Sequence, residues 1–424
     1  MWSSALHLAV LGLFASSAPR AKADSPISPT FAYGSDKVRG VNIGGWLVLE
    51  PWITPSLFDN TGNDAIVDEW TFTQYQSNSV ASAALKNHWD TFYTEADFAS
   101  IAAAGLNHVR IPIGYWAFEV GSGEPYIQGQ LPYLKKAITW ASNYGLKVIV
   151  DLHGAPGSQN GYDNSGHRIS TPTWFSNSTN VDRTNAIMKT IAGLFVSEVD
   201  NAPIIAPLNE PAGYYGDDAL AVIRQYWRDS YGNIRWQDGT SESDTVVLIH
   251  DAFQEASYWG NFMTAPDFQG VAIDTHIYQV FEDEYVAMSE DQHISLACQQ
   301  SSVLSQYQLG VIVGEWCPAM TDCAKYLNGR GVGARYDGTK DGSSYVGDCS
   351  QMTGSGASFS DSYKVFLRKF WEAQMSSYET GYGWIQWTWK TEDGTGEEWS
   401  YEAGLKYGWI PSNPTERQYP NICN

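Results

Sequence analysis

Ile204-Ile205-Ala206-Pro207-Leu208-Asn209-Glu210-Pro211 is a short apolar run that ends in a glutamate, and Gly310-Val311-Ile312-Val313-Gly314-Glu315-Trp316 repeats the pattern farther along the chain. Apolar runs of this length are typical of strands that are buried on both faces of a parallel sheet. Because α/β enzymes carry their functional groups at the carboxyl ends of parallel strands, a glutamate in that position is a candidate functional residue. The two strings therefore predict a parallel sheet with two glutamates at one edge.

The rest of the chain alternates between strand-like and helix-like stretches. The predicted strands are residues 41–49, 108–113, 147–152, 204–210, 245–250, 270–278, 311–316 and 382–389. Apolar residues at spacings of three and four predict helices at residues 95–104, 131–144, 181–199, 219–231, 294–307 and 363–378. Eight alternating units predict an α/β fold, a (β/α)8 TIM barrel. A doubly wound open sheet is the alternative, which is disfavoured because no Gly-x-Gly-x-x-Gly turn follows an early strand.

Three long segments interrupt this alternation, and each follows a predicted strand. Residues 50–90, 155–175 and 318–360 would rise from the carboxyl face of the barrel, where barrel enzymes carry their active sites. Residues 1–23 contain a short apolar stretch and end in Ala21-Lys22-Ala23, which together predict a cleaved signal peptide. We therefore expect a secreted protein, extracellular or in the cell wall, in which residues 24–424 form a single domain.

Composition narrows the range of partners. The chain has 25 Lys and Arg against 47 Asp and Glu, and the net charge of −22 argues against nucleic acid and anionic membranes as partners. After the leader no segment reaches about 18 uncharged apolar residues, so we expect no membrane span. The 18 Trp and 25 Tyr suit sugar ligands, whose apolar faces stack on aromatic rings. The sequence shows no surplus of amphipathic surface that would predict an oligomer, so we expect a monomer.

The cysteines fit an exported protein. There are five after the leader, at positions 298, 317, 323, 349 and 423. Export favours disulfides, and the odd number leaves one thiol free or bonded to another chain. Spacing alone does not select a pairing, although a Cys323–Cys349 bond would restrain the Gly- and Ser-rich segment 329–356. Without a CxxC or His-rich motif we expect no metal site, and Asn177-Ser178-Thr179 predicts N-glycosylation at Asn177.

Two glutamates at one edge of a sheet are what acid-catalysed glycoside cleavage requires. One carboxylic acid protonates the leaving oxygen, and a second carboxylate attacks the sugar carbon. The attacking group must stay ionised, which Arg110 and Tyr278 would promote at Glu315. The acid must hold its proton through burial and through the neighbouring carboxylate, which we expect of Glu210. Structural ion pairs are the competing interpretation of the two glutamates.

Other polar and aromatic residues fall at the same predicted strand ends. His153 ends one strand, and His276 and Tyr278 share a face of another because they are two residues apart. Trp387 and Trp389 are likewise two apart on the last strand. Alone, a histidine there is more often structural and a tryptophan more often part of the core. Together with the glutamates they predict one site, in which the histidines donate to sugar oxygens or to the carboxylates.

Seven strings cover nearly the whole chain after the leader, at residues 39–51, 109–116, 151–161, 208–211, 274–278, 314–316 and 387–392. They include Val109-Arg110-Ile111-Pro112, Asp151-Leu152-His153-Gly154 and Asp274-Thr275-His276-Ile277-Tyr278. In sequence and in order, these strings resemble the fungal exo-β-1,3-glucanases of glycoside hydrolase family 5, in clan A.

The resemblance implies a retaining exo-enzyme that releases glucose from the non-reducing ends of β-1,3-glucan and uses neither a metal nor an organic cofactor. It implies that Glu210 is the acid/base and Glu315 the nucleophile. Glu50 matches a residue that holds hydroxyls of the terminal glucose, which implies a closed pocket. The further substrate-binding residues would be Arg110, His153, Asn164, Asn209, His276 and Tyr278.

The resemblance also implies the walls of this pocket. Trp389 would form its floor, with Trp387 as the alternative. Tyr162 and Phe281 would clamp the next sugar at the entrance, and Tyr162 departs from the phenylalanine that is often found in relatives. The implied disulfides are Cys298–Cys423 and Cys323–Cys349. They leave Cys317, where relatives commonly have serine, as a buried and inert thiol.

Other functions compatible with this pattern are closely related. One is a β-glucosidase of the same fold that acts on β-1,6-glucan or on glucosylated small molecules. Another is a catalytically silent relative that binds the cell wall, which the presence of both glutamates disfavours. Endo-cleavage of cellulose is disfavoured by the Glu50 match and by the long first and third loops. The expected partner is a β-glucan polysaccharide or oligosaccharide, with transglucosylation accompanying hydrolysis.

Overall fold

The computed structural model describes residues 31–195, 204–237 and 239–424. Its strands are β1 Val38–Asn42, β2 His108–Gly114, β3 Lys147–Gly154, β4 Ile204–Ala206, β5 Val247–His250, β6 Val271–Ile277, β7 Gly310–Trp316 and β8 Gly383–Gln386. Its helices are α1 Pro55–Asp59, α2 Glu69–Gln74, α3 Asn78–Thr91, α4 Glu95–Ala103, α5 Leu131–Asn143, α6 Ser178–Gly193, α7 Asp217–Arg235, α8 Asp283–Val286, α9 Glu290–Leu304, α10 Asp361–Tyr378 and α11 Tyr401–Tyr407. The predicted signal peptide and the end of the predicted helix 181–199 lie outside the described residues.

The eight strands form a closed parallel barrel. Each strand pairs with the next along the chain, and β1 also pairs with β8, where Val38 lies opposite Gly383. α-Helices occupy the connections between successive strands, because parallel neighbours need a crossover, except that the β5–β6 connection contains only the 3-10 helix Ala256–Trp259. The (β/α)8 barrel predicted from the alternation is confirmed, and the open doubly wound sheet is wrong.

The interior of the barrel changes character from one end to the other. Near the amino-terminal ends of the strands it is filled by aliphatic side chains, including those of Ile149, Leu248 and Ile312. Farther along the strands the inward positions hold polar side chains, of which Arg110 and Asp151 are both fully buried. Because buried charges are stable only when they are paired or hydrogen-bonded, the carboxyl half of the barrel must be a network of polar contacts.

Three predicted strands differ from the structure by three residues or more at one end or both, and the other five by at most two. The first spans Val38–Asn42 instead of 41–49, because residues 43–49 are buried but turn away at Gly45, whose φ is +69°. A run buried on every side looks the same in sequence whether it is strand or loop. β4 ends at Ala206, before Pro207, which has no amide hydrogen for the ladder. The last predicted strand, 382–389, is strand only over Gly383–Gln386.

Two of the long segments after the strands are hydrogen-bonded to each other. Segment 50–90 contains α1, α2 and most of α3. Arg330, in segment 318–360, donates to the backbone oxygens of Asn63 and Ile66 at 2.7 and 2.8 Å, which joins these two segments.

The described cysteines form two disulfides and leave one thiol. Cys323 is bonded to Cys349 within segment 318–360, and Cys298 is bonded to Cys423, which fastens the C-terminus to α9. These are the pairings that the resemblance implies, and Cys317 is a buried free thiol. Asn177 is exposed at the start of α6, where its side-chain oxygen accepts from the amide of Thr179. In the described chain, no helix combines the length and the apolar character needed to cross a membrane.

Candidate active site

The two candidate glutamates lie at the carboxyl ends of β4 and β7. Glu210 follows β4 with a φ of +46°, a left-handed conformation that a glutamate rarely adopts. Such conformations cost free energy and persist where the surrounding structure enforces them, often at functional sites. Glu315 is the sixth residue of β7 and is 5% exposed, while Glu210 is 8% exposed. Both carboxyl groups are therefore buried at the mouth of the barrel.

A β-bulge turns Glu315 toward the barrel axis. Along β6 and β7, Thr275 lies opposite Val313, but the next residue, His276, lies opposite Glu315, so Gly314 is skipped. An extra residue in one strand re-aims the side chain that follows it. Glycine is required at the bulge because a Cβ there would lie 1.9 Å from Oδ1 of Asp274.

Arg110 organises the polar layer beneath the two glutamates. It is fully buried, and its guanidinium lies 2.9 Å from Glu315, 3.2 Å from Asp151 and 3.8 Å from Asp274. It also donates to Oδ1 of Asn209 at 2.7 Å. Burial would lower the pKa of Arg110, but the surrounding carboxylates raise it, so the side chain stays charged. Arg110 thus supplies a fixed positive charge to the floor of the site.

Glu315 accepts hydrogen bonds from two groups on other strands. Nη1 of Arg110 donates to Oε1 at 2.9 Å, and the hydroxyl of Tyr278 donates to Oε2 at 2.9 Å. Burial raises the pKa of Glu315 above its ordinary value, while the charges of His276 and Arg110 oppose that rise. Arg110 and Tyr278, which we expected from the sequence, therefore favour the ionised form together with His276, which we did not assign specifically to Glu315.

Glu210 is paired with a histidine. Nδ1 of His276 contacts Oε1 of Glu210 at 2.8 Å, and Nδ2 of Asn164 donates to Oε2 at 3.2 Å. Burial alone would raise the pKa of Glu210, but the hydrogen bond from His276 and the charges of His276 and His153 lower it. The expectation that burial keeps a proton on Glu210 is therefore wrong for the unliganded site. It failed because His276, which is distant in sequence, lies within hydrogen-bonding distance.

His276 connects the two glutamates through one ring nitrogen. Its Nδ1 lies 2.8 Å from Glu210 and 3.5 Å from Oε2 of Glu315. Burial would lower the pKa of His276, but Glu315 and Asp274 raise it well above the ordinary histidine value. Both shifts therefore favour the imidazole over the carboxylate as the site of the proton that His276 and Glu210 share. The pair still holds one transferable proton, which is what a general acid needs.

Two further carboxyl groups lie at one side of the glutamates. Oε2 of Glu50 accepts from the indole of Trp52 at 2.9 Å, whereas Oε1 is buried with no hydrogen-bond partner among the described residues. Burial raises the pKa of Glu50 well above its ordinary value, and the charge of Asp163 raises it further. Burial also raises the pKa of Asp163 to about 7. Sequence reasoning found Glu50 but missed Asp163, whose only signal was its place between Tyr162 and Asn164.

The site contains other buried polar atoms with free hydrogen-bonding capacity. Nε2 of His153 and Nδ2 of Asn209 are buried and unpartnered within the described part of the chain. The other ring nitrogen of His153 contacts Asp151 at 2.6 Å, which orients the imidazole. Because buried polar groups are normally satisfied, such atoms at a cleft are suited to bind hydroxyls of a ligand.

The two tryptophans after β8 have different environments. Trp387 stacks on His153, with ring centroids 5.5 Å apart, and belongs to the apolar cluster that borders Tyr278 and Phe281. Trp389 instead packs in the outer core, where its indole donates to Asp97 at 3.3 Å. The packing of Trp389 conflicts with its assignment to the pocket floor, whereas Trp387, the alternative, borders the site and stays the prediction for that position. The two side chains diverge because β8 ends at Gln386, so strand alternation no longer applies.

Aromatic side chains surround the entrance. Tyr162 is 51% exposed, and Phe281 is half-buried against Tyr278, with centroids 5.3 Å apart. Trp399, which was not singled out from the sequence, contacts both Tyr278 and Phe281 and extends this wall. The entrance therefore presents ring faces to whatever enters.

A second histidine, His250, lies behind His276, with ring centroids 4.4 Å apart. Potential metal-ligand atoms of Glu210, His250 and His276 all lie within 4.8 Å of one another. However, Nδ1 of His250 accepts from the amide of Ala252, and His276 is engaged by Glu210, Glu315 and Asp274. These contacts orient the His276 imidazole between the carboxyl groups, and the His250 ring packs against it from behind.

Taken together, the arrangement can cleave a glycosidic bond. It combines a carboxylate held by a guanidinium and a phenol, a carboxyl–imidazole pair with a transferable proton, and buried polar atoms for sugar hydroxyls. The residues come from six of the eight strand ends or the loops that follow them.

A family model, "Cellulase (glycosyl hydrolase family 5)", matches residues 73–327. Curated proteins match over almost the whole chain. "Probable glucan 1,3-beta-glucosidase A" of Aspergillus niger is 44% identical over 423 residues, which is 99% of this chain and 98% of that protein. "Glucan 1,3-beta-glucosidase" of Blumeria graminis is 46% identical over 398 residues, which is 93% of this chain and 91% of that protein.

Among solved structures, the rutinosidase from Aspergillus niger superposes with a TM-score of 0.68 over 88% of this chain and 98% of that one. At 21% identity this likeness concerns the fold. It agrees with the closed barrel described above.

Proposed function

The chain belongs to glycosyl hydrolase family 5, and we propose that it is a retaining exo-β-1,3-glucanase, which releases glucose from the non-reducing ends of β-1,3-glucans. The substrate class follows from the relatives named glucan 1,3-beta-glucosidase, which cover more than nine-tenths of the chain. In this proposal Glu210 is the acid/base and Glu315 the nucleophile. The enzyme cleaves the bond that joins the terminal glucose to the rest of the glucan.

The spacing of the two glutamates supports retention. Because one nitrogen of His276 lies 2.8 Å from Glu210 and 3.5 Å from Glu315, the two facing oxygens are no farther apart than those lengths combined. That limit, which applies to the facing oxygens, lies just below the roughly 6.5–9.5 Å that separates the carboxyl groups of inverting glycosidases and leaves room for water. It is compatible with direct attack by one carboxylate on the sugar carbon. This spacing is the observation that carries the proposed mechanism.

The reaction would proceed in two displacements. In the first, the proton held by the Glu210–His276 pair passes to the glycosidic oxygen, the carboxylate of Glu315 bonds to the anomeric carbon, and the shortened glucan leaves. In the second, Glu210 takes a proton from water, which attacks the same carbon and releases Glu315. A sugar hydroxyl that replaces water in this step gives transglucosylation with the same residues.

The two carboxyl groups at one side of the site support exo-action. Burial raises the pKa of Glu50 and of Asp163, which favours neutral forms that can donate as well as accept hydrogen bonds. Together with Trp387 and His153, they offer hydrogen-bonding atoms and a ring face to one terminal glucose. We further propose that residues 24–424 form the exported enzyme, that Asn177 carries a glycan, and that the enzyme acts outside the cell or in its wall.

The test is an early time course on linear β-1,3-glucan, followed by proton NMR for both product size and anomeric form. Glucose alone, released first as the β-anomer, is the expected result. A ladder of oligosaccharides would overturn exo-action, and initial α-glucose would overturn the role of Glu315. Turnover of β-1,6-glucan or of glucosylated small molecules, without turnover of β-1,3-glucan, would change the assigned substrate.

Variants of the two glutamates complete the test. Glu315→Gln should abolish turnover of every β-glucoside, whereas Glu210→Gln should retain cleavage of aryl glucosides whose leaving groups need no proton. Glu284→Gln is the matched control, because Glu284 is exposed on α8 outside the site. Full activity of Glu315→Gln would remove the proposed mechanism.

A further inference from the structure

Exposed aromatic side chains are concentrated beside Glu210. Of the eight aromatic side chains in the described chain that are more than a third exposed, four lie there: Tyr162, Tyr214, Tyr215 and Phe253, with exposed fractions between 44% and 51%. The other four are scattered singly. A contiguous exposed apolar patch on a soluble protein usually marks a binding surface.

These side chains touch one another in sequence, starting from the entrance. The hydroxyl of Tyr214 donates to that of Tyr162 at 3.3 Å. The ring of Tyr214 lies 5.4 Å from that of Tyr215 and 5.8 Å from that of Phe253. Tyr162, Tyr214 and Tyr215 form a continuous surface, here called the tyrosine strip, that leads from the mouth of the pocket to solvent.

The backbone under the strip is closely packed. Tyr214 and Tyr215 lie in the short 3-10 turn Gly213–Tyr215, only a few residues after Glu210. A Cβ at Gly213 would lie 2.4 Å from the carbonyl oxygen of Ala252, so glycine lets this loop pack against the loop after β5. In that second loop Phe253 has a φ of +60°, and its amide donates to Asp251 at 2.9 Å. A bulky residue in the left-handed region is an outlier that packing must enforce. The rings are therefore presented by an ordered surface.

We propose that the tyrosine strip is an acceptor-side binding surface for the part of a β-1,3-glucan chain that extends beyond the entrance, with Tyr214 as its central contact. This inference rests on the proposed function. An uncharged sugar chain fits because ring faces stack on the apolar faces of sugars and the net charge of −22 repels anionic partners. Because Tyr162 lies at the entrance and Tyr214 beyond it, Tyr162 contacts the second glucose, and Tyr214 and Tyr215 contact the third glucose and those that follow.

The expected consequence is a preference for longer substrates. The terminal glucose would occupy the pocket and the second would lie at the entrance, so a disaccharide does not reach Tyr214. A trisaccharide and longer chains do reach it. The contribution of Tyr214 to kcat/KM should therefore depend on chain length, which a general effect on folding or on the catalytic groups would not produce.

The experiment compares kcat/KM for the β-1,3-linked glucose disaccharide, trisaccharide and pentasaccharide. Tyr214→Ala should lower the ratio of pentasaccharide to disaccharide kcat/KM by about tenfold, as expected for loss of one stacked ring. Tyr214→Phe, which keeps the ring, should recover most of that ratio. Tyr144→Ala is the matched control, because Tyr144 is 40% exposed at the amino end of β3, on the opposite side of the barrel.

The outcomes separate the two proposals. An unchanged ratio of pentasaccharide to disaccharide kcat/KM in Tyr214→Ala overturns the proposed role of the tyrosine strip and leaves the proposed function intact. An equal loss on all three substrates also overturns it, because the effect would then act through Tyr162 and the entrance. If the wild-type protein cleaves none of the three oligosaccharides, the proposed function fails and the assigned ligand of the strip fails with it.

Discussion

Nδ1 of His276 lies 2.8 Å from Oε1 of Glu210, although His276 lies in β6 and Glu210 in the loop after β4. This contact lowers the pKa of the glutamate and helps to raise that of the histidine, which Glu315 and Asp274 raise more strongly. In the proposed mechanism, the proton for acid catalysis is therefore shared by a pair of side chains instead of held by one.

The first prediction concerns the state of Glu210. His276→Phe keeps a ring in place but removes the hydrogen bond and the charge, so the pKa of Glu210 should rise under the remaining effect of burial. Carbon-13 NMR of labelled glutamate carboxyls measures this, with Glu210→Gln identifying the signal. We also expect kcat/KM on β-1,3-glucan to fall by about 100-fold or more.

His293→Phe is the control for this change. His293 is fully buried and contacts Gln279 at 2.8 Å, but it does not contact either glutamate. His293→Phe should leave the pKa that is measured from the carbon-13 signal of Glu210 unchanged. A Glu210 pKa that is unchanged or lower in His276→Phe would contradict the interpretation that His276 and Glu210 share the proton for acid catalysis.

The second prediction concerns the acid limb of the pH profile. Tyr278→Phe removes the 2.9 Å hydrogen bond that stabilises ionised Glu315, so the pKa of Glu315 should rise beyond the increase that burial already causes. Because the nucleophile must be ionised, activity is lost as pH falls through this pKa. The acid limb of the kcat/KM profile should therefore move to higher pH. The variant should lose a larger fraction of the wild-type rate at pH 4 than at pH 6.

Tyr401→Phe is the matched variant. It removes a buried hydroxyl that lies in the outer core, away from the two glutamates. Its pH profile should coincide with that of the wild-type enzyme. If Tyr278→Phe lowers the rate equally at every pH, the tyrosine positions substrate without tuning Glu315.

The third prediction concerns stability against pH. Glu398 is fully buried, and burial raises its pKa to about 8. In the unfolded chain a glutamate ionises near pH 4.3. Between these two values the folded state keeps a proton that the unfolded state has lost, so the free energy of unfolding falls by up to about 1.4 kcal/mol per pH unit. Burial also raises the pKa of Glu69 to about 7, which acts in the same direction.

Glu398→Gln removes the titrating group at nearly constant shape. The melting temperature should then decline less between pH 5 and pH 8 than it does for the wild-type protein, as measured by calorimetry in buffers of equal ionic strength. The melting temperature of Glu284→Gln, a substitution at an exposed position, should decline as much as that of the wild-type protein. Parallel curves for Glu398→Gln and wild type would mean that Glu398 is already ionised in the folded protein.

The fourth prediction concerns the free thiol. Cys317 is 3% exposed two residues after Glu315, and burial raises the pKa of its thiol well above the ordinary value. A buried neutral thiol is a poor nucleophile. Cys317→Ala should keep full kcat with a loss of about 1 kcal/mol in the free energy of unfolding, and iodoacetamide should not inactivate the native enzyme. Loss of hydrolysis in a folded Cys317→Ala protein would give the thiol a role in the site.

Much of the fold was predictable from the sequence. The alternation that located β2, β3 and β7 is a local property, because burial of each strand on both faces leaves a continuous apolar run. The first strand was misplaced because residues 43–49 are equally apolar and equally buried without being strand. An apolar run in the sequence predicts that a segment is buried. It predicts a strand only where the buried segment is also a strand.

The sequence by itself determined the barrel order and the two glutamates, since both depend on residues that are neighbours in the chain. Only the tertiary structure decided which way each side chain points and which charges meet. A bulge at Gly314 turns Glu315 inward, the end of β8 separates Trp387 from Trp389, and Asp163 lies near Glu50. The physical reason is that pKa values and ring contacts depend on distances between atoms far apart in sequence, which the closure of the barrel alone establishes.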